Sequence, residues 1–190
     1  MRYMSISGFP IIEPEDAGPE LAQQFAEAQR LTGLPVVPSW AQIGAVSPDC
    51  LEIYLQMYRL FQHNISLPES LVPVILYCIA TARNCTYCST VNELYCRTLG
   101  VDDETLERLA NDLDNVSPER LRAIIQFALK CAFDAQALTA ADYERVREQG
   151  ISDDELAQII FLVALANFND TLADGFKIEV EPDVLEALGR

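Results

Sequence analysis

Each long apolar run in this chain is bracketed by helix punctuation, and no stretch alternates polar with apolar residues as a half-buried strand would. PELAQQFAEAQRL, residues 19–31, is rich in helix formers and meets a stop signal at Gly33. The following LPVVPSW, with Pro35 and Pro38, is expected to be extended or turning. Ser47-Pro48 then supplies a cap and a first-turn proline for DCLEIYLQMYRLFQHN. Its apolar positions 51, 54, 55, 58, 60 and 61 fall mostly on one face. With Ser70 as cap, Pro73 lies in the first turn of a helix over Leu71–Arg83, where a missing N–H costs little. Asn84 is the natural cap of the next helix, with Cys85 as its first residue and Gly100 behind its end. Asp102 or Asp103, Ser117-Pro118, Thr139 with Asp142, and the capping box Ser152 to Glu155 open four more. The pattern predicts an all-α fold of about eight helices without significant sheet, in one domain over residues 1–190.

Charge narrows the function classes. Thirteen Lys and Arg face 29 Asp and Glu, for a net charge of −16. Such a field repels phosphate backbones and anionic membrane surfaces, so neither nucleic acid nor membrane is expected as a partner. The N-terminal MRYMSISGFPIIEPEDAG lacks a basic start followed by a long apolar run, so a signal peptide is not expected. The apolar segment Leu71 to Ala82 falls short of a bilayer span. A cytoplasmic location is the expectation that follows.

A reducing compartment makes the six cysteines informative, because static disulfides are rare there. They are Cys50, Cys78, Cys85, Cys88, Cys96 and Cys131, and only Cys85 and Cys88 have a motif spacing. At a helix start the dipole and free N–H groups favour the thiolate, the reactive form. Arg83 nearby can add positive charge, and Tyr87 can shield the pair. A redox dithiol fits these features; two half-buried thiols without chemistry remain the structural alternative. A zinc site is not expected, because no second Cys-x-x-Cys exists and the sole histidine is His63. A thioredoxin fold would need βαβ patterning, which is absent. No glycine-rich phosphate loop is present, so no cofactor is expected.

The run ESLVPVILYCIATARNCTYCSTVN resembles the core of the carboxymuconolactone decarboxylase superfamily, and within it the alkylhydroperoxidase D-like, peroxidase-related branch. LTGLPVVPSWAQIGAVSPDCLEIYLQMYRLFQ and ISDDELAQIIFLVALANFNDTLADGF are similar to the flanking blocks of that branch. The resemblance covers roughly residues 15–178, leaving 1–14 as an N-terminal extension and 179–190 as a tail. It implies an all-α fold, a homo-oligomer (a trimer or hexamer), and a dithiol that reduces hydroperoxides or exchanges with a partner's disulfide. It also implies that Cys88 attacks and Cys85 resolves the product as a disulfide. In the family a Glu twelve residues before the first Cys and a His four after the second relay protons.

Both relay positions differ here: Pro73 stands for the Glu and Asn92 for the His. Position 92 lies one turn beyond Cys88 on the same helix face, but an amide can only hydrogen-bond and cannot take up a proton near neutral pH. His63, Glu69 and Glu93 are the nearby candidates for proton relay or thiolate tuning. Glu93 sits about 140° round the helix from Cys88 and is expected to face solvent. The function expected is therefore a weak thiol-dependent oxidoreductase of the peroxidase or disulfide-reductase kind. The alternatives are a non-catalytic or redox-sensing oligomeric scaffold, and the decarboxylase branch, for which His63 is badly placed.

Overall fold

Helix boundaries in the computed structural model fall within a residue or two of the expected caps. The structure describes residues 5–190, with His63 described by its backbone alone. In chain order the helices are α1 (Pro19–Thr32), α2 (Ser39–Gly44), α3 (Pro48–Asn64), α4 (Leu71–Ala82), α5 (Thr86–Thr98), α6 (Asp103–Asn111), α7 (Glu119–Asp134), α8 (Ala140–Arg147), α9 (Asp153–Phe176) and α10 (Pro182–Ala187). Eight of these ten have seven residues or more, and the described residues contain no sheet. The two short ones, α2 and α10, escape the sequence reading because six residues carry too little periodicity. Pro35 and Pro38 do keep the chain out of helix up to Ser39, with a bend at residues 35–36, and α2 starts directly behind them.

Capping chemistry accounts for the sharp starts. Asp102 accepts the Thr105 N–H at 2.7 Å and opens α6. Thr139 and Asp142 form a capping box on α8, and Lys130 holds the Asp142 carboxylate at 2.7 Å. That lysine, first, and the Thr139 N–H keep the Asp142 carboxyl well below the usual range. Ser152 and Glu155 bond reciprocally at the start of α9, at 2.8 and 3.2 Å.

The chain divides into two compact units. The first holds the residues up to Ile65 together with Leu172–Pro182. Its core gathers Phe25, Ala28 and Leu31 of α1, Ala41 of α2, and Leu51 and Leu55 of α3. Trp40 packs edge-on against Tyr54, with ring centres 4.5 Å apart. The Ser39 N–H donates to the buried Glu181 carboxylate at 2.6 Å, an anion at the positive end of α2.

The second unit, Ser66–Thr171 with Asp183–Arg190, is built round α4. Its apolar run makes α4 a buried helix: Leu71, Pro73, Val74, Ile75, Tyr77, Cys78, Ile79 and Ala80 are all inside. It packs chiefly against α5, and also against α6 and α7. Pro73 sits in the first turn, as the missing N–H requires. Burial pushes the Cys78 thiol up, and burial followed by the Glu93 carboxylate pushes Cys96 up to about 12. These two cysteines behave as small apolar core residues.

The α4–α5 turn positions the candidate site. Arg83 ends α4 and Asn84 takes a left-handed conformation, φ 59°. The Cys85 N–H donates to the Ala80 carbonyl at 2.9 Å, and the Asn84 N–H to the Thr81 carbonyl at 3.0 Å. This is a Schellman ending, with Asn in the position that glycine most often fills. Cys85 is thereby delivered in extended conformation as the residue capping α5, so α5 starts one residue later than the sequence pattern suggests. Asn84→Ala is expected to destabilise the protein by about 1 kcal/mol, because alanine lacks the short polar side chain that offsets left-handed strain, while Asn84→Gly holds or raises stability. Urea denaturation of the two variants checks this; equal losses in both would contradict it.

Candidate functional site

Cys85 caps α5 and Cys88 lies in its first turn, so both sulfurs sit at the helix start. Both are free thiols, and both residues are buried, with 0% and 7% exposure respectively. Cys88 is thus the less enclosed of the two residues. The carboxylate of Asp170, on α9, joins them. The two sulfurs and one Asp170 oxygen all lie within 4.8 Å of one another. Asp170 is itself 1% exposed.

A buried carboxylate needs compensation. Arg83 supplies it: its Nε lies 3.4 Å from Asp170 Oδ2, and its Nη1 donates to Asn167 Oδ1 at 3.3 Å. Asn167 in turn donates to the Ala132 carbonyl at 3.3 Å. The guanidinium also stands 6.0 Å from the centre of the Phe133 ring. Arg83 therefore serves the carboxylate, where the sequence suggested it would serve the thiolate directly. Because α4 ends at Arg83 and α5 begins after Cys85, one turn delivers both the cation and the first thiol.

The electrostatics at Cys88 follow from its neighbours. Its hydrogen bond to Cys85 raises its thiol most, burial adds to this, and the Asp170 carboxylate raises it further. Cys88 therefore keeps its proton at neutral pH. The helix start alone does not produce a standing thiolate here.

The other sequence candidates take different places. Asn92 donates to the Cys88 backbone carbonyl at 2.8 Å, so its amide engages the helix backbone. Glu93 is buried, contrary to the expectation of a solvent-facing residue. Arg190 clasps it at 2.9 and 3.0 Å, and Arg97 adds a contact at 3.1 Å. Its charge acts on Tyr77 and Cys96. Glu69 is exposed in the turn before α4. His63 lies in the last turn of α3, and its side chain is outside the described residues. Of the residues named from sequence the structure brings together Cys85, Cys88 and Arg83, and it adds Asp170 to them. Asp170 had one sequence signal: it is a carboxylate inside a long, largely apolar helix, where burial and pairing are the default reading.

No protein-family model matches the sequence, and no curated protein matches it. Solved structures do. A peroxidase-related protein of Ralstonia eutropha JMP134, described as an alkylhydroperoxidase AhpD core, superposes with a TM-score of 0.83 at 21% identity, over 97% of this chain and 96% of its own. A peroxidase-related protein of Silicibacter sp. TM1040 gives 0.78 at 21% identity, over 88% and 90%. A cysteine-to-alanine variant of the debrominase Bmp8, in complex with 2,3,4-tribromopyrrole, gives 0.81 at 15% identity, over 100% and 98%. The fold is accordingly the all-α fold of alkylhydroperoxidase D-like, peroxidase-related proteins, as the resemblance implied.

The upward shift at Cys88 has a readable sign. The thiol form persists through neutral pH, and thiolate appears only on the alkaline side. Native-state alkylation of Cys88 with iodoacetamide, followed peptide by peptide, is expected to keep rising past about pH 9.5, where an ordinary free thiol of pKa about 8.5 approaches its plateau. Asp170→Asn removes one negative neighbour and shifts that rise to lower pH. A wild-type plateau at or below about pH 9.5, or no displacement in the variant, would contradict this account.

Proposed function

We propose that this protein is a thiol-dependent oxidoreductase in which Cys85 and Cys88 cycle between dithiol and disulfide, with a small hydroperoxide or a partner's disulfide as oxidant. One observation carries the reading: two buried thiols and a buried carboxylate meet within 4.8 Å at a helix start. A scaffold has no need of that costly arrangement. A carboxylate placed against a reactive thiol can take its proton.

In the proposed first step Cys88 gives its proton to Asp170 as the sulfur attacks the terminal oxygen of the hydroperoxide. The O–O bond breaks, and Asp170 returns the proton to the departing alkoxide. The products are a Cys88 sulfenic acid and an alcohol. Cys85 then attacks the Cys88 sulfur, water leaves, and a disulfide forms. An external dithiol restores both thiols by exchange. Arg83 holds the carboxylate in place throughout. Asp170 thus does what the Glu and His of the family resemblance would do at the positions filled by Pro73 and Asn92. Because the thiol starts protonated, turnover is expected to be slow. Regeneration by a dithiol fits a reducing, cytoplasmic setting.

Self-association is part of the proposal. On α9 the exposed Ala157, Phe161, Ala164 and Phe168 recur at helical spacing, with Phe161 65% exposed. An apolar stripe of that kind suits a second copy of the chain. Sedimentation is expected to give an oligomer, and Phe161→Glu to shift it toward monomer; a wild-type monomer contradicts this part.

Two variants test the chemistry. Asp170→Asn is expected to slow peroxide-driven oxidation about 100-fold, the scale of a lost general acid–base, although it speeds alkylation. Alkylation releases iodide and needs no returned proton, so the two assays move oppositely. Cys85→Ser is expected to accumulate a Cys88 sulfenic acid that dimedone traps. Faster peroxide oxidation in Asp170→Asn, or no trapped adduct in Cys85→Ser, would overturn the mechanism.

A further inference from the structure

The donor atoms at the site belong to more than one chemistry. Sulfur, sulfur and carboxylate oxygen are ligand types that borderline-soft divalent cations take. Their spacing is close to what such an ion requires. Round a tetrahedral zinc, with bonds of about 2.0–2.3 Å, donors stand roughly 3.4–3.8 Å apart. The three donors here already lie within 4.8 Å of one another, so the cluster needs to contract by about 1.4 Å at most. All three residues are buried, so water competes poorly for the donors. The backbone already fixes two of them: Cys85 caps α5 and Cys88 follows in its first turn. The third faces an outer cation, as ligating carboxylates often do: Arg83 Nε stands 3.4 Å from Asp170 Oδ2. Spacing rules could not find this set, since the third ligand lies on α9, far along the chain.

We infer that the reduced protein holds one soft divalent cation, zinc(II) or a surrogate, on the thiolates of Cys85 and Cys88 and one carboxylate oxygen of Asp170. Three protein ligands leave a fourth position open to water. On binding, two S–H bonds break, two metal–sulfur bonds form and two protons leave to solvent. Three ligand charges against two on the ion leave the cluster at −1, close to neutral for a buried site.

Metal and disulfide exclude one another, because disulfide formation uses the same sulfur electron pairs. This linkage rests on the redox reading above; the metal site itself does not. A hydroperoxide that oxidises the loaded site takes up two protons and yields disulfide, alcohol, water and the free ion. The cation would thus shield the dithiol until oxidant arrives, and its release would report the oxidation.

The test titrates the full-length, reduced protein with cadmium(II) under anaerobic conditions. Cys50 is exposed and Cys131 partly so, so Cys50→Ser/Cys131→Ser serves as the background. Expected are one equivalent bound, a sulfur-to-cadmium charge-transfer band in the ultraviolet, and about two protons released per ion in weak buffer. Cys85→Ser and Cys88→Ser, both nearly isosteric, are each expected to weaken binding at least about 100-fold, and Asp170→Asn at least about tenfold. Prior closure of the disulfide abolishes the band. No band on the reduced protein, or an undiminished band in Cys85→Ser/Cys88→Ser, overturns the inference. No peroxide enters the titration, so failure here leaves the redox reading standing. A protein that binds cadmium but ignores peroxide would reverse that outcome.

Discussion

The hydrogen bond from the Cys85 N–H to the Ala80 carbonyl closes the turn on which the site depends. It can form only because Asn84 accepts a left-handed conformation between two helices. The turn directs α4 inward as the buried helix of its unit and starts α5 with a cysteine at the cap. It also leaves Arg83 at the helix end, within reach of Asp170. A longer linker could keep the same residues but would not fix a guanidinium and a thiol at one point. The site is thus a consequence of how one helix stops and the next begins.

Charge balance is the second constraint. The chain carries a large negative excess, and the buried Asp170 adds to it where water is scarce. Arg83 makes that carboxylate tolerable, since a buried charge survives only when paired. The hydrogen bond with Cys85 first, then burial, and the carboxylate after them raise the Cys88 thiol. Cys88 thus stays protonated beside a charged carboxylate, which suits the proton transfer proposed for the redox step and the cation inferred for the resting site. Glu93 follows the same logic elsewhere in the unit, where Arg97 and Arg190 neutralise it.

Much of this was legible in the sequence. The eight longer helices follow from caps and stops such as Ser152 with Glu155, Thr139 with Asp142, and Gly33, because capping is local chemistry. Pro73 in a first turn followed from its missing N–H. The cysteine pair followed from spacing. Other features are tertiary and have no local signature. Asp170 reaches the thiols only because α9 folds back within the unit. Glu93 is buried because the last residue of the chain, Arg190, returns to it. The amide of Asn92 turned to the Cys88 carbonyl, since an i−4 carbonyl is a nearer acceptor than a thiol. The periodicity that marks α9 as a helix did not show that one apolar stripe, with Phe161 and Phe168, would lie exposed.

The central claim is that Cys85 and Cys88 form a working dithiol despite Pro73 and Asn92. Thiol trapping with peptide mass analysis tests it most directly. The reduced native protein is treated with one equivalent of hydroperoxide, quenched by alkylation and digested. The account predicts a Cys85–Cys88 disulfide that forms with peroxide and opens again with a mild dithiol. Recovery of both cysteines as free, alkylated thiols after peroxide would contradict it.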